Sequence, residues 1–354
     1  MKNNFDDVVA DVMKRKDAIV SKGIPKYDRS NVIPFTSPAA NYMFYGGLLT
    51  RRMYEFFGEE GSGKTTTALD IVKNAQKYFK KKAKKGEEPK KIVWIDAENT
   101  LDTIWAQTLG VDINNMHVVI LETQSAEKAY QIALDFISTG EVGLLVIDSL
   151  GALVPMAAED KTMEEKTMAG ISAATSRYVS ELIPLLNKTG AMAIHINAPR
   201  ANFANPFDDQ HTPGGWNLRM QNSAKIKFRK TDYFGKNYEK VKKSEANPVG
   251  HYVEMAIKKT KICKPDRKLG FYSLTYENGI DWIRDMITVG LELDFIHQSG
   301  NTYQFVDENG EILCDDKGKE IKCVGLNALY KFLKEEQIIS EELLSQINER
   351  CKRE

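Results

Sequence analysis

The stretch "MYEFFGEEGSGKTTTALD", residues 53–70, permits few folds. Its first five residues read as a short buried strand. Gly58 to Thr65 then reads G-x-x-x-x-G-K-T, and Thr65 to about Phe79 has the composition of a helix. Strand, glycine-rich loop and helix in that order make a cradle for phosphates. Gly58, Gly61 and Gly63 let the backbone turn its N–H groups inward. The helix adds its positive end. Lys64 offers a point charge to the β- and γ-phosphates, and the Thr65 hydroxyl suits Mg²⁺.

The surroundings extend this into a layered α/β domain. "KIVWIDAEN", "HVVILET", "GLLVIDSLGAL" and "MAIHINAPR" are apolar runs of strand length. Between them stand the helical patterns "SAEKAYQIALDFISTG", which Gly140 stops, and "AATSRYVSELIPLLNKTG". Apolar strands separated by helices predict a mostly parallel central sheet with helices on both faces. After Trp216 the pattern changes. "NSAKIKFRK", "GHYVEMAIKKTK" and "LGFYSLTY" read as antiparallel strands. Beyond Trp282 a smaller α+β region is expected, hairpin-like around "DENG" and "DDKGK" and helical from "LNALYKF" onward. At the other end "NNFDDVVADVMKRK" forms an amphipathic helix followed by the linker "SKGIPKYDRS". The expected organisation is an N-terminal helix and linker, an α/β core and a small C-terminal domain. The helix can dock on its own domain or on a neighbouring subunit. "KKKAKKGEEPKK" reads as a solvated loop.

Composition narrows the class further. Lys plus Arg and Asp plus Glu both total 49, so any nucleic-acid surface must be local. The cysteines 263, 314, 323 and 351 have no C-x-x-C spacing, which speaks against zinc and for reduced thiols. No signal-peptide pattern or run of 18 apolar residues occurs, so a cytoplasmic protein with no membrane partner is expected.

Phosphate chemistry needs two further groups. A carboxylate ending a buried strand belongs on the metal side, and "LLVIDS" supplies Asp148. A second group must orient or activate water. Asp96 and Glu98 in "WIDAEN" are two residues apart and face the same way on an extended chain, so spacing leaves both open. One of them is also suited to cap the helix that follows.

Taken together, "GEEGSGKTTTALD", "WIDAENTLDTIWAQTLGVD", "LLVIDSLGALVP" and "TPGGWNLRMQNSAKIKFRK" resemble RecA-type strand-exchange recombinases of bacteria and phages in order and spacing. The similarity runs from about Phe35 to about Ile283. It implies an ATPase, activated by single-stranded DNA, that forms helical filaments on that strand, pairs it with homologous double-stranded DNA and promotes strand exchange. ATP and Mg²⁺ are the implied ligands. Glu98 matches the catalytic glutamate, which decides against Asp96. The nucleotide site implied comprises Gly58, Glu59, Glu60, Gly61, Ser62, Gly63, Lys64, Thr65 and Thr66, with Asp102, Trp105 and Tyr276 toward the base. Thr65 and Asp148 match the metal-side positions. Lys259 and Lys261 match a pair that reaches the γ-phosphate of a neighbouring protomer. Met168 and Ser176 match the first DNA-binding region. Arg200 to Gly215 matches the second, with Phe203 as the apolar wedge and Gly214 and Gly215 at its end. Arg219, Met220 and Lys225 match a protomer-interface segment.

Three departures stand out. The family strand ends in Asn-Gln, whose glutamine senses the γ-phosphate; here Asn197 is followed by Ala198. Glu164 and Glu165 put negative charge in the first DNA loop, and "NERCKRE" is not an acidic tail. The same core also builds ring-forming motors of the hexameric helicase kind. The paired lysines and two glycine-bearing loops favour the filament. A non-catalytic assembly protein is disfavoured by the intact Lys64, Thr65, Glu98 and Asp148.

Overall fold

The computed structural model describes residues 4–14, 31–156, 170–200, 212–242, 247–264, 266–267, 269–307, 310–314 and 317–352. The chain forms two units, residues 1–31 and 32–354. In the first, helix α1 (Phe5–Lys14) carries Asp6 and Asp7 in its first turn and Lys14 in its last, each favourable to the helix dipole. Its Phe5 is 77% and Val8 45% exposed.

The second unit is built on a ten-stranded sheet. Strands β3 (Met53–Gly58), β4 (Lys91–Asp96), β5 (Met116–Ile120), β6 (Val142–Asp148), β7 (Met192–Asn197) and β8 (Ala224–Phe234) are parallel and lie in the order β8-β3-β7-β6-β4-β5. Their apolar residues point alternately to the two faces, and both faces are covered. On one, Ile92, Trp94, Leu144, Val146 and Ile194 pack against Ala68, Leu69, Val72 and Phe79 of helix α3 (Lys64–Lys82). On the other, Val93, Ile95, Leu145 and Ile147 meet helix α5 (Ala126–Ser138) and a long helix, α6 (Gly170–Thr189). This double burial is why the strands read as continuous apolar runs rather than alternating ones.

The segment after Trp216 does form antiparallel strands, but they do not make a separate sheet. Strand β8 pairs in parallel with β3 and antiparallel with β10 (Gly250–Thr260), which continues to β11 (Leu269–Thr275). The residues beyond form helix α8 (Trp282–Glu292), strands β13 (Ile296–Ser299), β14 (Thr302–Phe305) and β15 (Lys322–Val324), and helices α9 (Leu326–Glu335) and α10 (Gln337–Cys351). The single helical pattern expected there is broken at Glu336.

Asp285 of α8 is buried 3% exposed and accepts from Ser273 N at 3.0 Å. Burial lifts its carboxyl to about 8, partly opposed by hydrogen bonds from Ser37 and Ser273. A carboxyl raised on folding contributes stability that is full below the ordinary carboxylate range and is lost as pH rises through the folded value. The melting temperature is therefore expected to fall as pH rises from about 5 to about 9, and Asp285→Asn to flatten that slope. Thermal melts of both proteins across this range check it; equal slopes would place the pH dependence elsewhere.

Candidate functional site

The C-terminal ends of β3, β4, β6 and β7 converge on one edge of the sheet, where parallel α/β proteins place their ligands. The glycine-rich loop leaves β3 at Gly58 and enters α3 at Lys64. Gly63 has φ +96°, and a Cβ there would stand 3.0 Å from Val253 Cγ2 and 3.2 Å from the Tyr272 hydroxyl. Conformation and space both require glycine. Glu59, Glu60 and Gly61 are exposed at the loop's crest. Lys64 Nζ donates to Gly58 O at 2.8 Å and Glu59 O at 2.7 Å, bridging the loop. Burial lowers its ammonium, with Asp148 and Glu98 opposing that shift. Ser62 Oγ is buried with no hydrogen-bond partner among the described residues. An unsatisfied hydroxyl in a glycine-rich loop that opens into a helix N-terminus fits a phosphate-bearing ligand.

Thr65 Oγ1 donates to Asp148 Oδ2 at 2.8 Å, bringing the two metal-side residues together. Hydroxyl and carboxylate are hard oxygen donors, and among the described residues no cluster of three His, Cys, Asp or Glu offers a full cage. Mg²⁺ fits such a sparse set, because it keeps waters and takes further oxygens from substrate phosphates. Burial lifts Asp148 to about 7; the Thr65 hydrogen bond opposes this, and Glu98 and Asp96 add to it. A cation beside it would reverse that shift.

The structure separates Asp96 from Glu98. Asp96 is buried and its oxygens accept from Thr100 N at 3.3 Å and Leu101 N at 2.9 Å, holding the turn after β4. Glu98 is exposed, and Ser149 Oγ donates to its Oε1. Strand pairing sets Asp96 beside Asp148, so Glu98 lies at the same strand ends. Sequence reasoning passed over Ser149, which follows the metal-side carboxylate directly.

Toward the base, Trp105 Nε1 donates to Thr66 Oγ1 at 3.2 Å, so this indole borders the loop. Asp102 is an exposed N-cap of helix α4 (Thr103–Thr108), accepting from Trp105 N at 2.9 Å. Tyr276 follows β11 at the same end of the sheet, 46% exposed, its hydroxyl 3.1 Å from His251 Nδ1.

Of the DNA-side residues, Met168 and Phe203 lie outside the described residues. Ser176 O accepts from Asn217 Nδ2 at 3.0 Å, tying α6 to helix α7 (Gly215–Gln221). Arg200 Nη2 donates to Gly151 O at 3.0 Å. Gly214 has φ +109°, and a Cβ there would come within 2.5 Å of Leu218 Cδ2. Gly215 follows at the start of α7. Arg219 and Met220 are exposed on that helix.

Lys225 is placed differently from a surface interface residue. It is 3% exposed, with Nζ 3.4 Å from Glu55 Oε1 and 4.5 Å from the centre of the Phe57 ring. Glu55, Thr212 and the Phe57 ring surround its ammonium within its own chain. Lys259 Nζ donates to Arg219 O and Met220 O, both at 2.6 Å, and burial together with Lys261 lowers its ammonium to about 8. Lys261 is exposed at the strand's end. The register puts Met255 opposite Phe228 and Gly58, and Lys259 opposite Lys225 and Glu55. Lys259 is thus about 10 Å down the strands from the phosphate loop and roughly another 10 Å across them. One chain does not bring this lysine to its own loop.

Glu55 is the residue that pattern reading missed. It is fully buried in an apolar strand and gathers Asn197, Thr212, Asn222 and Lys225 around one carboxylate.

The RecA N-terminal domain family matches residues 9–281. Protein RecA of Clostridioides difficile is 32% identical over 266 residues, covering 74% of this chain and 70% of that protein. Protein RecA of Symbiobacterium thermophilum is 32% identical over 78% of this chain and 74% of its own. Protein RecA of Staphylococcus epidermidis is 30% identical over 98% of this chain and 91% of its own. The ring-forming motor reading draws no support from these relatives. With a phosphate loop, a Thr65–Asp148 pair and an adjoining glutamate at one sheet edge, and with matches of this extent, the chain belongs to the RecA family.

Proposed function

We propose that this chain is a strand-exchange recombinase. It assembles with ATP and Mg²⁺ into helical filaments on single-stranded DNA, pairs that strand with homologous duplex, and hydrolyses ATP to ADP and phosphate. The observation that carries this reading is the split site. Lys64, Thr65, Glu98 and Asp148 meet at one edge, whereas Lys259 and Lys261 stand too far away to serve the same loop. Such lysines suit the γ-phosphate of a neighbouring protomer in a repeating assembly. Residues 1–34 serve protomer contact, 35–283 form the ATPase core and 284–354 a C-terminal domain, a division that rests on the helical spacing of Phe5, Val8, Val9 and Val12 and on the extent of the family match.

Within the site the roles follow from position. The loop amides and Lys64 hold the phosphates and draw charge away from the transferring group. Thr65 and Asp148 would hold Mg²⁺, which would supply charge neutralisation when bound. Glu98, exposed beside Asp148, takes a proton from the attacking water, and the Ser149 hydroxyl orients its carboxylate. Trp105, Asp102 and Tyr276 flank the base.

Lys64→Ala is expected to weaken ATP binding by on the order of a hundredfold, since charge-assisted phosphate contacts are lost from a part-buried site. A nucleotide titration checks it; unchanged affinity would remove Lys64 from the phosphates. Phe203→Ala is expected to weaken single-strand binding by about 1–3 kcal/mol, the worth of one base–aromatic contact, and to impair strand exchange. Fluorescence anisotropy with labelled single strands measures this, and normal DNA affinity with a lowered melting temperature would make the ring a packing residue.

The reading as a whole is tested by phosphate release with and without single-stranded DNA. Turnover is expected to rise strongly on adding the strand. A rate indifferent to DNA contradicts it.

A further inference from the structure

Ala198 follows β7 directly and has no side chain able to hydrogen-bond, yet the recombinase reading requires DNA contact to reach the ATP site. The residues around that strand end offer another route. Glu55 lies within β3, fully buried, three residues before Gly58. Its Oε1 accepts from Thr212 Oγ1 at 2.6 Å and Asn197 Nδ2 at 3.2 Å. Its Oε2 accepts from Asn222 Nδ2 at 2.9 Å. Lys225 Nζ, 3.4 Å from Oε1, also donates to Thr212 Oγ1 at 2.8 Å. Asn197 Nδ2 reaches on to Pro213 O at 2.9 Å.

Both ends of the segment 212–222 are therefore held by one carboxylate. That segment contains Gly214 and Gly215 and the helix α7, whose carbonyls at Arg219 and Met220 engage Lys259. The strand that carries the carboxylate ends in the phosphate loop. A buried carboxylate in an apolar strand is costly unless its lone pairs are filled, and removing partners one at a time is felt through the whole cluster. These bonds connect residues 212–213 to β3 through Glu55, and the same segment to Lys259 of β10 through the Arg219 and Met220 carbonyls, with no side chain needed at position 198.

We propose that Glu55 is a positioning residue that couples DNA engagement beside residues 212–215 to ATP turnover, in the place of the side chain that Ala198 lacks. This rests on the recombinase reading above. The test is steady-state phosphate release at saturating ATP, with and without single-stranded DNA, for the parent, Glu55→Gln and Asn222→Ala. Both variants are expected to keep ATP affinity and DNA-free turnover. The ratio of stimulated to basal rate is expected to drop about tenfold in Glu55→Gln and severalfold in Asn222→Ala, the usual range for a coupling between sites. A parental ratio in variants that still bind ATP overturns the proposal, even where melting temperature falls, because that would be a purely structural role. Should Glu55→Gln fail to fold, Asn222→Ala decides, since it keeps the Glu55–Lys225 pair. A parent protein with no DNA stimulation overturns the recombinase reading and this inference with it; a stimulated parent with equally stimulated variants overturns the inference alone.

Discussion

Glu98→Gln is expected to bind ATP with near-parental affinity and to turn it over about 10²–10⁴ times more slowly, the span attributable to one positioned proton acceptor. The amide keeps the size and the hydrogen bond from Ser149 but cannot take a proton from water. Asp96 cannot substitute, because its oxygens are committed to Thr100 N and Leu101 N inside the turn. With hydrolysis slowed and ATP retained, the DNA-bound state should persist longer. Steady-state phosphate release with saturating single-stranded DNA measures the first effect, and a nucleotide titration the second. Equal turnover in variant and parent would remove Glu98 from its role.

Lys259→Ala/Lys261→Ala is expected to lose DNA-stimulated turnover by on the order of a thousandfold while still binding nucleotide. Cations supplied across an interface to a transferring phosphoryl group contribute on that scale. Lys259 also ties down the Arg219 and Met220 carbonyls at the end of a helix, a contact that stabilises the chain by itself. The two roles are separable by mixing. Combined with Glu98→Gln, the double variant regains activity where its own Glu98 meets lysines from the other protein. Absence of rescue when both demonstrably co-assemble would mean that the lysines act within their own chain or only as helix caps.

These expectations differ in how far they were legible beforehand. The phosphate loop is local: strand, glycines, lysine, threonine and helix are consecutive, and the chain folds there as read. Asp148 is nearly as plain once the loop is recognised, since the chemistry there asks for a carboxylate at the end of a buried strand. Asp96 and Glu98 were not separable by spacing, because both face the same way on an extended strand. Their difference appears only in the backbone of the turn, where Leu101 N lies 2.9 Å from Asp96 Oδ2. Glu55 was illegible for a different reason. Its partners Asn197, Thr212 and Asn222 are 142, 157 and 167 residues away, and no periodicity connects positions so distant. A charged residue inside "MYEFF" was nevertheless a signal, since a buried carboxylate demands partners. The same distance hid the burial of Lys225, and it hid the parallel pairing of β8 with β3 that turns the antiparallel strands into a continuation of the main sheet.

The central claim is that the split site is completed by repetition of the chain along DNA. Electron microscopy of the protein with single-stranded DNA and a slowly hydrolysed ATP analogue tests this most directly. Continuous helical filaments coating the strand are expected. Closed rings, or DNA left bare at protein concentrations that saturate it, would contradict it.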